Sequence, residues 1–237
     1  MGAQKASFQT SLIAGVAALD KIDFEAGLLD LVKAFGTVHD HILVAIASER
    51  GYSLPLRRLD LASCRLKRSI GVEGMFSKTV TATRGITAGA GTAATELKML
   101  LLQLMRLLEQ QWSTILAAKL HVDDLTLIMR GLAGTVVDGL TDVLNFVIDH
   151  LEETLKMQVS KEKFTVVASK PSLALAVADR VVGKTSKAAS HAKVLGTDLV
   201  GGVRRCTYQL RARMWQFTGK IARFGALREV GADVNQM

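Results

Sequence analysis

Leu120-His121-Val122-Asp123-Asp124-Leu125-Thr126-Leu127 places two adjacent carboxylates between two apolar runs. Ala118, Leu120 and Val122 alternate on one side of the pair, and Leu125, Leu127 and Met129 on the other. A period of two marks a half-buried strand. The pattern predicts a tight β-hairpin with its only acids at the bend. Two like charges side by side repel, and an apolar setting strengthens the repulsion. Alone, such a pair reads as a solvated turn; kept for a purpose, it reads as a cation site.

Outward from the hairpin, the chain runs in blocks of helix and strand. Residues 1–23 are weakly patterned and predict a lead-in. Residues 24–31 are short and mostly apolar, a buried strand ending at Asp30. Phe35, Val38, Ile42, Leu43 and Ile46 have helical spacing over 34–50, closed by Gly51. Pro55 opens a second helix. Residues 70–76 and 79–82 predict two strands around a Gly turn, and a Gly-rich loop over 85–91 leads into a helix over 92–111. After the hairpin come a long amphipathic helix over 136–157, a strand over 164–167, a helix over 172–182 and a short strand within 192–199. Residues 204–228 predict a basic helical tail, with Arg204, Arg205, Arg211 and Arg213 interleaved with Tyr208, Trp215 and Phe217. This grouping is α+β: an antiparallel sheet with helices packed on one face, and a helical basic C-terminal region.

The chain has 237 residues, almost half of them apolar, enough for a sizeable core without staples. Its net charge of +8 favours polyanionic partners, although solubility alone also explains it. Cys64 and Cys206 stand far apart, which indicates neither a disulfide framework nor a zinc site and suits a reducing compartment. No secretory pattern or membrane-length apolar run is visible. The expected location is intracellular, nuclear or cytoplasmic, with no membrane partner.

Two motif matches are set aside. Gly89-Ala90-Gly91-Thr92-Ala93-Ala94 fits a dinucleotide fingerprint, but the acid expected about 20 residues later is missing. Gly183-Lys184-Thr185 resembles a phosphate loop, but a helix rather than a strand precedes it. The five histidines show no metal-ligand spacing, and the leucines over 97–108 read as core.

The order of three features shifts the balance for the acidic pair. Leu29-Asp30-Leu31-Val32-Lys33-Ala34-Phe35-Gly36-Thr37-Val38 resembles the first palm motif of reverse transcriptases, in the style of non-LTR retroelements. Arg84-Gly85-Ile86-Thr87-Ala88-Gly89 resembles the second motif, and the residues over 120–125 the third. Lys161-Glu162-Lys163-Phe164-Thr165-Val166-Val167 resembles the next, and Val194-Leu195-Gly196 the short turn before the thumb. The five elements follow family order over residues 24–200.

The resemblance implies an RNA-directed DNA polymerase, a nucleotidyltransferase, built as a palm over 24–200. A thumb-like basic tail over 201–237 follows, and a lead-in or fingers remnant over 1–23 precedes. It implies Asp30, Asp123 and Asp124 as the catalytic carboxylates. With the main chain of Leu31, they would hold two Mg²⁺, or Mn²⁺ in their place. Two such ions about 3.5–4 Å apart serve the attacking and leaving oxygens, and Mg²⁺ prefers hard oxygen ligands. Phe35 would lie under the sugar, Gly85 and Gly89 would admit the nucleotide, and Lys163 would lie near the triphosphate. Arg84, Arg204, Arg205, Arg211 and Arg213 would meet nucleic acid, with an RNA template, a DNA primer and deoxynucleoside triphosphates as partners.

Three positions depart from the pattern: Gly36 for an acid, Ala88 for Gln, and His121 for an aromatic residue. Few residues precede Asp30, whereas the family's fingers need many, so an N-terminally truncated palm is expected. The intact carboxylates favour an active enzyme. The departures favour an inactive remnant acting as a nucleic-acid-binding or structural domain. An unrelated Mg²⁺ enzyme is the third reading.

Overall fold

Asp23–Asp30 forms the central strand, β1, of a computed structural model that describes residues 3–87, 89–184, 186–194, 197–201, 211–212, 214–218 and 221. Ahead of it lies α1 (Ala3–Leu19); after it come α2 (Ala34–Thr37), α3 (Asp40–Glu49) and α4 (Leu54–Cys64). A small hairpin, β2 (Gly71–Val72) and β3 (Met75–Phe76), precedes α5 (Ala93–Trp112). The acidic hairpin is β4 (Leu116–His121) and β5 (Asp124–Gly131). Then follow α6 (Ala133–Asp149), closed by a π-helical turn over His150–Thr154, β6 (Thr165–Ala168), α7 (Pro171–Arg180) and β7 (Lys187–Ala189). A second small hairpin, β8 (His191–Val194) and β9 (Thr197–Val200), follows.

The main sheet has five strands in the order β4-β5-β1-β6-β7. Four are antiparallel, as expected, but β7 runs parallel to β6, so the sheet is mixed. The reason is α7, a helical crossover that returns the chain to the same edge, as parallel neighbours require. Lys187-Ala188-Ala189 is too short and too plain to be read as a strand from its composition.

The strand alternation of two divides the sheet's contacts. Leu29, Leu125, Leu127, Met129 and Val166 face a large core supplied by α5, α6 and α7. Gly27 lies on this face, and an added Cβ there would sit 2.7 Å from Leu144 of α6; the glycine lets that helix approach. On the other face, Phe24, Ala26, Ile128 and Val167 are covered by Ala14 and Ala17 of α1 and by Val194 and Leu199 of the β8–β9 hairpin. Helices therefore pack on both faces rather than one.

Other expectations shift in detail. The lead-in forms a 17-residue helix. The helix expected over 34–50 breaks at Val38–His39 into α2 and α3. The Gly turn falls inside the first run, at Glu73 and Gly74, so both strands of this hairpin lie within 70–76. Among the described residues, no helix is long and apolar enough to cross a membrane.

Candidate active site

The acidic hairpin forms as its alternation predicts. Leu120 pairs with Leu125 and His121 with Asp124, leaving Val122 and Asp123 to close the turn. Val122 has φ of 59°. A β-branched residue in the left-handed region is a genuine outlier, and such strain, about 1–3 kcal/mol, collects at functional sites.

β5 also pairs with β1, in a register that sets Asp124 directly opposite Asp30. The two carboxylates lie on neighbouring strands at one end of the sheet, on the same face. Both alternate away from Leu29 and Leu125, which enter the main core. Asp123, one position earlier, is half-buried and borders a small cavity with Leu29, Leu31, Leu101, Leu104 and Leu120.

Electrostatics tie the three acids together. Burial pushes the Asp124 carboxyl above the usual carboxylate range, and the charges of Asp123 and Asp30 add to the shift. His121 and Lys163 oppose it. Lys163, on the turn before β6, forms an ion pair with Asp30. Its ammonium pKa is raised by that bond, with smaller contributions from Asp123 and Asp124. The turn is held there by main-chain bonds, Ser160 N to Asp30 O at 2.8 Å and Phe164 N to Ser160 O at 2.9 Å.

Phe35 and the glycine loop also meet. Ile86 N donates to Phe35 O at 2.7 Å, and Gly85 N to Val38 O at 2.8 Å. Gly85 has φ of +98°, and a Cβ there would lie 2.9 Å from Phe35 O and 3.0 Å from Gly36 Cα. Only glycine fits this close approach. Gly89, at φ of +87°, is exposed with open space around it. Phe35 is half-buried against the core, and Arg84 is exposed. Leu31 is buried in the core, and its main-chain carbonyl is the oxygen it could offer a cation.

Arg211 is exposed on a helical stretch. Arg204, Arg205, Arg213, Ala88, Leu195, Gly196 and most of the expected basic tail lie outside the described residues. Among the described residues, no three acidic, histidine or cysteine side chains are gathered tightly enough to enclose a metal ion by themselves. The donor set still suits Mg²⁺, which is commonly held by one or two carboxylates completed by substrate phosphates and water. The crowding that raises Asp124 is the electrostatic condition a divalent cation relieves.

Sequence reading missed two ionisable groups. Lys119 faces the same way as Asp124; its ammonium is buried without a hydrogen-bond partner, and burial lowers its pKa. Glu25 is fully buried on the face of β1 that carries Gly27 and Leu29, with neither carboxylate oxygen bonded. Only the alternation within each strand hinted at their positions.

No protein-family model and no curated protein matches this chain. Solved structures do. An apo telomerase from Candida tropicalis, truncated of its C-terminal domain, superposes with a TM-score of 0.53 at 11% identity, over 83% of this chain and 38% of that one. A Candida albicans telomerase in complex with a TWJ fragment of telomeric RNA gives 0.54 at 11%, over 85% and 34%. A Candida tropicalis telomerase in complex with the corresponding fragment gives 0.56 at 8%, over 83% and 32%. The chain spans about a third of the length of these structures. What they share with it is the fold: a reverse-transcriptase-like α+β domain.

Proposed function

We propose that the chain is a template-directed nucleotidyltransferase domain, an RNA-directed DNA polymerase palm of the kind found in retroelements. The observation that carries this reading is the register that sets Asp30 opposite Asp124, with Asp123 next in the strained turn and its charge felt by Asp124. Asp30 and Asp124, with Asp123, would hold Mg²⁺. Bound there, such ions stabilise the attacking and leaving oxygens of an in-line displacement.

The chain's own groups have distinct tasks in this reading. The β1–β5 ladder fixes the carboxylates before substrate arrives, so little reorganisation remains. Phe35 and Gly85 form the floor for the sugar and base. Lys163, its side chain 70% exposed on a flexible stem, exchanges its contact with Asp30 for a triphosphate oxygen. Primer extension on an RNA template with Mg²⁺ tests the proposal. Extension is expected, and Asp123→Asn should lower it at least a hundredfold, the scale of losing one preorganised electrostatic contact.

The Lys163–Asp30 ion pair favours a second reading, in which the ammonium has taken over the cation's role and the domain only binds nucleic acid. Retained binding of an RNA–DNA duplex without extension would establish that reading instead.

A further inference from the structure

Residues 65–84 leave the fold between α4 and the Gly85 loop. Ile70, Val72, Met75, Phe76 and Val80 along this stretch are all exposed, Phe76 at 76%. Two strands of two residues have no core of their own, yet the hairpin is defined. Arg68 and Val80 exchange main-chain bonds at 2.9 and 2.8 Å, and Ser77 N donates to Ile70 O at 2.8 Å. Ser77 Oγ accepts from Ile70 N at 2.9 Å. Glu73 and Gly74 turn the chain with φ of 49° and 82°, the twist that suits a two-residue hairpin.

The pairing of Gly71 with Phe76 gives the arm its shape. A Cβ at Gly71 would lie 2.8 Å from the Phe76 ring. The ring therefore rests over bare backbone and leaves its other side open. Five cations, Arg65, Lys67, Arg68, Lys78 and Arg84, stand in this stretch against one acid, Glu73. Arg65 and Arg68 root the arm: Arg65 pairs with Asp40 and donates to Ala82 O at 2.9 Å, and Arg68 donates to Thr87 Oγ1 at 2.9 Å. Lys67, Lys78 and Arg84 have no acidic partner among the described residues. Thr87 belongs to the loop whose Gly85 lies against Phe35, so the arm is fixed beside the proposed nucleotide pocket.

We propose that this arm binds single-stranded nucleic acid, with a base stacked on Phe76 and flanking phosphates held by Lys67 and Lys78. An apolar patch alone would suit a protein partner. Unpaired cations along the same arm as an open aromatic face suit a polyanion whose units carry π faces. That the strand is the template ahead of the nucleotide site rests on the polymerase reading.

The test uses the full chain and two probes: a blunt RNA–DNA duplex, and the same duplex with a single-stranded RNA overhang. The overhang should tighten binding. Phe76→Leu, which keeps apolar bulk and removes the π face, should cut that gain about tenfold, while Phe76→Tyr keeps it. Lys67→Ala and Lys78→Ala should each lower the salt slope by about 0.7. Equal affinity for both probes, or an undiminished gain in Phe76→Leu, overturns the arm. So does a self-associated species that Phe76→Leu disperses in sedimentation while overhang binding is unchanged; the patch is then a contact between copies. Extension without any overhang preference overturns the arm and leaves the polymerase reading. Phe76-dependent overhang binding without extension retains the arm and overturns the polymerase reading.

Discussion

Asp124 is where burial and charge meet. Its carboxyl is raised by desolvation and by two neighbouring acids, and Lys163 partly offsets them. In the metal-free chain this group therefore titrates above the ordinary carboxylate range. Removing the opposing cation in Lys163→Ala should move that titration to higher pH, and an NMR titration of the carboxyl carbons without metal measures the displacement. Glu25 makes a separate prediction for stability. Burial, with a contribution from Asp23, raises its pKa to about 8. A carboxyl raised on folding contributes stability fully below its unfolded pKa and loses it as pH rises through the folded value. Glu25→Gln does not titrate, so it should match the native chain near pH 4 and exceed it by a few kcal/mol above pH 8. Urea unfolding at the two pH values decides the matter. Glu25 lies in a stretch that reads correctly as a strand, whereas Asp124, expected at the bend, opens β5. Their environments were not legible, because burial depends on what packs against the strand.

Among the elements, α1 shows why periodicity can hide. Its buried positions, Ala6, Ser7, Thr10, Ala14 and Ala17, have helical spacing, but all are small or polar. Most of its large residues, Phe8, Leu12 and Leu19, point outward, and Ile13 packs partly buried beside Ala14 and Ala17. A pattern search keyed to large apolar residues sees the wrong face. Small residues are needed where the helix lies close on the sheet, as Ala17 does at 0% exposure. Ala17→Leu should overpack this contact and cost about 1–3 kcal/mol, while Leu12→Lys on the open side should change stability by less than about 0.5 kcal/mol. Thermal denaturation distinguishes the two. The acidic hairpin was legible for the opposite reason: its alternation is carried by leucines, and one register buries Leu125 and Leu127 and packs the half-buried Leu120 against the same core.

Across the whole molecule, α4 and α5 are joined by a buried ion pair. Arg57 Nη1 lies 2.5 Å from Glu96 Oε1, and both side chains are almost fully buried. Thr92 Oγ1 donates to Asp60 Oδ1 at 3.1 Å beside it. Burial raises the Glu96 pKa, and Arg57 opposes the rise. Breaking such a pair leaves an uncompensated charge; Arg57→Met should cost about 3–5 kcal/mol, and Arg57→Met with Glu96→Leu should recover most of it. Calorimetric melting of the single and double variants tests this. The pair holds α4, and with it the root of the arm over 65–84, to the helix that follows the glycine loop. None of it was read from the sequence, since Arg57 and Glu96 are far apart and each looks like an ordinary surface charge on a helix.

The sequence by itself determined the hairpin, the strand ending at Asp30, the α+β class and the order of the motifs. These rest on local periodicity and on residues whose spacing is fixed along the chain. Only the tertiary structure decided that Asp30 faces Asp124, that Lys163 reaches back to Asp30, that β7 runs parallel, and that α1 covers the second face of the sheet. Each of those depends on strand register or on packing between distant segments, where the free energy comes from contacts that no local window contains.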